Sequence, residues 1–299
     1  MNGLKFNFLS IILCVCVISV LCSNLKAPTV VISILARNKA HTLPYFLTLL
    51  GKLNYPKDRI ALWIRSDHNI DQTVQILNKW VKFEKSQYHM VDFQYDIDEA
   101  GFSDEINVNH WSNTRYYHVM NLRQTALDVA RKVWADYIWM LDTDVFLTDP
   151  NVLLHLVSKN VTIVAPMLKS VSKYSNFWCG MTENYYYQRT EDYEPILDRK
   201  KVGCFEVPMV HSSILVDLRK TESDRLTYRP EEVAEYNGPH DDVIVFAASA
   251  MVNGIAMNIC NDRQYGFIMV PLGEDYSDLT FDFEQLSGLK IEVRNTNIY

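Results

Sequence analysis

The 299-residue chain has little glycine and little proline, 10 of each, and 48% of its residues are hydrophobic. That balance excludes a disordered or collagen-like polypeptide and leaves enough apolar material for a sizeable core. A basic excess is missing too. Lys and Arg number 29 against 36 Asp and Glu, for a formal charge of −7, so nucleic acid is not expected as a partner. No Cys or His spacing of the zinc-binding kind occurs, nor does an internal repeat or a low-complexity tract.

Long apolar runs are absent except at the start. Lys5 precedes an almost unbroken apolar stretch from Phe8 to Leu21, and Val20-Leu21-Cys22 before Ser23 offers small residues where a signal peptidase inspects the chain. Residues 1–22 therefore read as a cleaved signal peptide. The run is short for a bilayer, which needs about twenty residues, so no stable membrane span is expected after cleavage. Entry into the secretory pathway makes Asn160-Val161-Thr162 a usable N-glycosylation site. Of the cysteines, Cys179, Cys204 and Cys260 remain after cleavage, so at most one internal disulfide forms. Cys179 with Cys204 is the expected pair, since both sit in loop-like surroundings while Cys260 follows a strand-like run; three free thiols are the alternative.

What is present alternates. Apolar runs at residues 29–35, 60–65, 88–95, 137–141, 162–166, 210–216, 255–259 and 267–270 read as strands. Helical spacing marks residues 42–53, 72–83, 115–135, 151–158 and 241–251. The pattern predicts an α/β fold, a mainly parallel sheet covered by helices on both faces, with ligands along the edge where strands end. Residues 96–113 are polar and irregular, long enough for a functional loop.

The strongest motif is Asp142-Thr143-Asp144, where the run Tyr137-Ile138-Trp139-Met140-Leu141 stops. Residues i and i+2 of an extended segment point to one side, so two hard carboxylates can face one spot, suiting Mg²⁺ or Mn²⁺ and a diphosphate. An Asp-x-Asp in this position is also a common turn or helix cap. Arg37, after the first strand, can clamp a diphosphate with its planar fork or lie in a solvated turn. Asp67, after the second, can accept hydrogen bonds from a ribose or uracil or cap the helix that starts near Asp71. Asp241 and Asp242 open a helix, where the macrodipole favours acids and where a carboxylate facing the sheet edge can also serve as general base. His211 lies in a strand-like run, as a core residue or a ligand. Phe177-Trp178 and Tyr185-Tyr186-Tyr187 are packing or a sugar platform.

These stretches carry a resemblance. Ile34-Leu35-Ala36-Arg37-Asn38, Leu43-Pro44-Tyr45-Phe46-Leu47, Asp67-His68-Asn69, Trp134-Ala135-Asp136-Tyr137-Ile138 with Asp142 and Asp144, Asn176-Phe177-Trp178-Cys179-Gly180-Met181-Thr182 and Val207-Pro208-Met209-Val210-His211-Ser212 resemble the procollagen galactosyltransferases of glycosyltransferase family 25, in the same order. The resemblance implies a GT-A fold over residues 23–285 and, as a departure from the family, a tail at 286–299 in place of the second domain that members usually carry. It also implies the endoplasmic reticulum lumen, although Asn295-Thr296-Asn297-Ile298-Tyr299 is not a retention signal, so secretion is the other destination. It further implies inverting transfer of galactose from UDP-galactose to 5-hydroxylysine of collagen, with Mn²⁺ (or Mg²⁺) neutralising the departing UDP. On that reading Asp144 and Asp142 hold the ion, His211 adds a ligand, Arg37 and Asp67 join Asp142 on the nucleotide, and Asp241 or Asp242 takes the acceptor proton. The alternative function is a secreted or luminal, non-catalytic binding or adhesion protein on the same fold.

Overall fold

The structure, a computed structural model, describes residues 26–96, 101–273 and 279–289. The expected signal peptide and the stretch from residue 290 onward lie outside the described residues.

The continuous apolar runs become the interior of the sheet. Strands β1 (Val30–Leu35), β2 (Ile60–Ser66), β3 (Met90–Tyr95) and β4 (Tyr137–Leu141) lie parallel in the order β4-β1-β2-β3. The short β5 (Val145–Phe146) follows, then β6 (Ile163–Pro166), three two-residue strands β7 (Phe177–Trp178), β8 (Gly180–Met181) and β9 (Tyr187–Gln188), and β10 (Cys204–Val207). The remainder are β11 (Met209–Val210), β12 (Ser213–Asp217), β13 (Met257–Cys260) and β14 (Phe267–Ile268). Eight of them form one sheet in the order β10-β13-β6-β12-β4-β1-β2-β3, with β12 and β10 antiparallel to their neighbours.

Helices cover both faces, as the sequence pattern predicts. The two-residue period of a strand sends Tyr137, Trp139 and Leu141 to one core and Ile138 and Met140 to the other. The first core packs against α1 (Leu43–Gly51), α2 (Thr73–Glu84) and α4 (Val152–Ser158), while the second packs against α3 (Asn113–Lys132), α5 (Tyr193–Leu197) and α6 (Asp242–Val252). A last helix, α7 (Thr280–Gly288), adds Leu286 to the first core, so the domain end expected at residue 285 falls inside a helix that belongs to the fold.

Three readings of the sequence are corrected. The run at 210–216 is not one strand: it breaks between β11 and β12 at His211 and Ser212, the latter at φ 61°. The run at 267–270 shortens to β14, which pairs with β5 outside the main sheet. Finally, the disulfide joins Cys204 to Cys260, not to Cys179, which is free. The cause is register: β10 and β13 are antiparallel, Cys204 lies directly opposite Cys260, and their Cα atoms are 4.0 Å apart. Non-reducing peptide mapping is expected to recover one Cys204–Cys260 cross-link and alkylated Cys179. Replacing both bonded cysteines by Ser is expected to cost about 2–4 kcal/mol; a Cys179 cross-link, or no loss of stability, would contradict this.

Candidate functional site

The carboxyl ends of β1, β2 and β4 open into a cavity of about 370 Å³, the edge of an open α/β sheet where ligands are expected. Arg37 and Lys39 enter it from the loop after β1, Asp67 from the loop after β2, and Asp142 and Asp144 from the turn after β4. Residues of the irregular 101–112 segment, Phe102 and Trp111 among them, form part of its wall, and α7 contributes Asp282.

Strand β4 ends at Leu141, so Asp142 and Asp144 flank a turn rather than alternating along an extended strand, yet both line the cavity. The turn is held from three sides. The Asp142 amide donates to the Ser212 carbonyl at 2.8 Å, Thr143 is buried, and the Met269 amide donates to the Asp144 carbonyl at 3.1 Å. Gly266 lets the Met269 segment approach, because a Cβ there would lie 2.1 Å from the Phe146 carbonyl oxygen.

The two carboxylates face different cations. Asp142 Oδ1 accepts from Arg123 of α3 at 3.0 Å, and the same guanidinium pairs with Asp242 at the start of α6. Burial works against the charge of Arg123, but Asp142 and Asp242 together hold it above its ordinary value. Asp144 Oδ2 pairs with Lys39 Nζ at 3.2 Å, whereas its Oδ1 is buried with no hydrogen-bond partner. Burial of Lys39 is likewise outweighed, here by Asp144 with Asp282 and Asp142 behind it, so its ammonium is held charged.

His211 sits between β11 and β12, next to the Ser212 carbonyl that anchors Asp142. Its amide donates to the carbonyl of buried Asn176 at 3.0 Å, and Asn176 ties this corner to β6 through the Pro166 carbonyl. Burial pushes the imidazole below its ordinary pKa, against the pull of Asp142, Asp144 and Asp242, which leaves a neutral ring competent as a ligand. Asp142, Asp144 and His211 do not converge on one point here. Among the described residues, the group of three whose donor atoms all lie within 4.8 Å of one another is Asp67, His68 and His118.

That cluster revises Asp67. It does not cap α2, whose first amide, on Thr73, donates to Asp71 Oδ1 at 3.0 Å. Instead its oxygens meet His68 Nδ1 at 2.9 Å and His118 Nε2 at 2.8 Å. Burial opposes its charge, but the two imidazoles outweigh that and hold its carboxyl below the ordinary carboxylate value. Arg37 is corrected as well. Its fork is taken by Glu105 Oε1 at 2.5 Å and Oε2 at 2.6 Å, and its Nε donates to the His68 carbonyl, so it fastens the 101–112 segment over the cavity instead of presenting a free clamp to a diphosphate. Phe102 stacks on His68 at 3.9 Å beneath that guanidinium.

The adjacent acids at α6 divide. Asp241 is the cap, accepting from the Val243 and Ile244 amides at 2.8 and 3.1 Å and from the Tyr187 hydroxyl at 2.8 Å. Burial and then the neighbouring Asp242 raise its pKa. Asp242 is 6% exposed and turns to Arg123, hence towards Asp142. Of the aromatic group, Phe177 is buried packing; Trp178 and Tyr187 stack at 5.3 Å beside Asp241, with Tyr187 36% exposed.

Lys39, Glu105, His118, Arg123 and Asp282 escaped the sequence reading. The one signal that bears on two of them is their place on α3, whose polar face leads directly into β4.

Acids at the turn after a buried strand, cations from two sides and a cavity at the carboxyl edge of a mixed sheet define a GT-A type glycosyltransferase fold. The chain belongs to glycosyltransferase family 25: the family's N-terminal domain matches residues 27–290. A glycosyltransferase 25 family member of Anopheles gambiae is 49% identical over 272 residues, covering 90% of this chain and 46% of that protein. Procollagen galactosyltransferase 2 of Homo sapiens is 48% identical over 271 residues, covering 91% of this chain and 43% of its own length. The chain thus spans less than half the length of these relatives. Among solved structures, S. aureus TarS 1-349 matches with a TM-score of 0.50 at 13% identity, over 90% of this chain and 68% of that one, which shows the fold.

Proposed function

We propose that this chain transfers galactose from UDP-galactose to 5-hydroxylysine of a collagen-like polypeptide, with inversion and with a divalent ion, Mn²⁺ or Mg²⁺. The observation that carries the reading is Asp144, whose Oδ1 is buried and unpartnered beside Asp142 in the sheet-edge cavity. The acceptor and sugar are inferred from relatives named procollagen galactosyltransferase.

The chemistry of the donor set suits the ion, although its three members do not converge on one point. A buried carboxylate oxygen without a partner carries an unmet cost that a hard cation removes, and Asp144, Asp142 and the neutral imidazole of His211 are the residues that would hold it. Once bound, the ion neutralises charge developing on the departing diphosphate. Asp67, kept ionised and oriented by His68 and His118, accepts hydrogen bonds from the nucleoside at the far end of the cavity.

The acceptor lies on the other side of the aspartate turn, near α6 and the Trp178–Tyr187 stack. Its hydroxyl oxygen attacks the anomeric carbon as the bond from that carbon to the diphosphate oxygen breaks. The bonding pair leaves with UDP, and the hydroxyl proton passes to a carboxylate. Asp242 is assigned that role because it turns inward towards Asp142, whereas Asp241 caps the helix amides and meets Tyr187; to take the proton Asp242 shares its carboxylate with Arg123. Positioning supplies much of the rate, because the donor is already activated.

A secretory lumen is the proposed location, with residues 1–22 removed and Asn160 glycosylated. The Cys204–Cys260 bond supports an oxidising compartment, and Asn160 is exposed. Among the described residues no helix is long and apolar enough to cross a membrane.

The roles of the acids are separable by single substitution. Asp242→Asn is expected to lose transfer by about 10²-fold or more while keeping UDP and Mn²⁺ binding, the scale of a general base. Asp241→Asn, still a good cap, is expected to stay within a few-fold of normal, and Asp241→Ala to cost about 1 kcal/mol of stability. Near-normal transfer by Asp242→Asn would place the base elsewhere; loss of UDP binding would move Asp242 to the donor site.

A further inference from the structure

Lys39 is the cation that stands against Asp144, and its surroundings give it one fixed end and one free end. The backbone is pinned. Its amide donates to Thr73 Oγ1 at 2.7 Å, and its carbonyl accepts from the Thr42 and Leu43 amides at 3.1 and 2.9 Å, where α1 begins. Among the described residues the side chain is held by Asp144 alone, Nζ to Oδ2 at 3.2 Å, with both side chains 30% exposed. The pair is half-buried but rests on a single contact, and an ammonium on a flexible four-carbon stem can turn to another anion within reach.

The other oxygen of that carboxylate, Oδ1, has no partner. A divalent ion drawn to Asp144 therefore meets an ammonium already on the same group, and like charges at contact distance repel. With Asp142 given over to Arg123, the carboxylate left to the displaced ammonium is Asp282 on α7, itself facing His41 Nε2 at 3.1 Å. A nucleoside diphosphate changes that, because it brings anionic oxygens within the reach of a flexible four-carbon stem.

We propose that Lys39 is a relayed cation: it neutralises Asp144 when the donor is absent and moves to the donor diphosphate when the ion binds. The proposal rests on the donor-site reading above. Lys39 then couples the two ligands, disfavouring the ion alone and favouring ion and nucleotide together. It acts on the donor phosphates, not on the acceptor, so its effect is visible in binding without any turnover.

The test is calorimetric titration of the wild-type chain, Lys39→Met and Lys39→Arg, with Mn²⁺ alone, with UDP alone and with UDP in saturating Mn²⁺. For Lys39→Met, Mn²⁺ alone is expected to bind about tenfold tighter, UDP alone to bind as in wild type and UDP with Mn²⁺ about tenfold weaker, so the enhancement of each by the other falls by about tenfold. Lys39→Arg keeps the charge and is expected to retain most of the coupling. Met covers the same stem, and equal melting temperatures show that the variant is folded. Unchanged Mn²⁺ and UDP affinities in Lys39→Met overturn the relay while leaving the donor site intact. Parallel weakening of both ligands also overturns it, since Lys39 would then be a common support. Failure of the wild-type chain to bind UDP with Mn²⁺ overturns the donor-site reading and the relay with it.

Discussion

Asp144→Asn is expected to lower galactosyl transfer by about 10³-fold and to remove most Mn²⁺-dependent UDP binding, the scale of losing one charge-stabilising group in a preorganised site. The substitution preserves shape. It removes the negative charge behind the buried, unpartnered Oδ1 and breaks only a half-open pair with Lys39. The structural cost is accordingly small, under about 1 kcal/mol, or a shift of less than about 4 °C in melting temperature. Activity and stability therefore separate. Equal Mn²⁺-dependent UDP affinity in variant and wild type would take Asp144 out of the metal site, whereas a large loss of stability would show that the Lys39 pair holds the turn together.

Arg123→Met is expected to do the opposite and strike stability first. Its guanidinium is 11% exposed and lies between Asp142 and Asp242, the latter 8% exposed at its side chain. Methionine fills much of the volume but leaves two acids facing each other without a cation, one of them buried. Breaking a buried pair from one side costs about 3–5 kcal/mol, because the remaining charge is unpaired in a poorly solvating interior. Urea denaturation of wild type and variant measures it directly. Arg123→Lys keeps the charge and loses the planar fork, so it is expected to fall between the two. A loss below about 1 kcal/mol for Arg123→Met would mean that the acids are solvated or protonated without Arg123, and the strut joining donor and acceptor sides would not exist.

The parts of this arrangement that follow from local pattern were legible in the sequence. The Tyr137–Leu141 run ends where its two-sided burial ends, which puts the Asp142 turn at the sheet edge. Helices on both faces follow from the alternation of apolar runs and helical spacing. The irregular stretch before α3 does border the cavity.

What escaped depends on partners far apart in the chain. The disulfide follows from the register of β10 against β13, and the Cys204–Val207 strand, four residues with one of them buried, is too short to announce itself. Arg37 was assigned to phosphate because nothing in its own neighbourhood shows that Glu105, 68 residues on, occupies its fork. The likeness of Asp241 and Asp242 is resolved by helix geometry alone. The first residue caps the amides, and the next turns inward to Arg123. His118 is invisible for the same reason, since α3 brings it to Asp67 across 51 residues.

The central claim is that this domain joins galactose to hydroxylysine. Its most direct test incubates the purified chain with UDP-galactose, Mn²⁺ and a collagen peptide containing 5-hydroxylysine, followed by fragment mass spectrometry and anomeric assignment of the product by NMR. The expected result is one hexose on the hydroxylysine oxygen in the β configuration, absent with Asp144→Asn and absent from the same peptide carrying lysine. An unmodified peptide, with the chain folded and UDP bound, would contradict the account and leave a binding protein on a transferase fold.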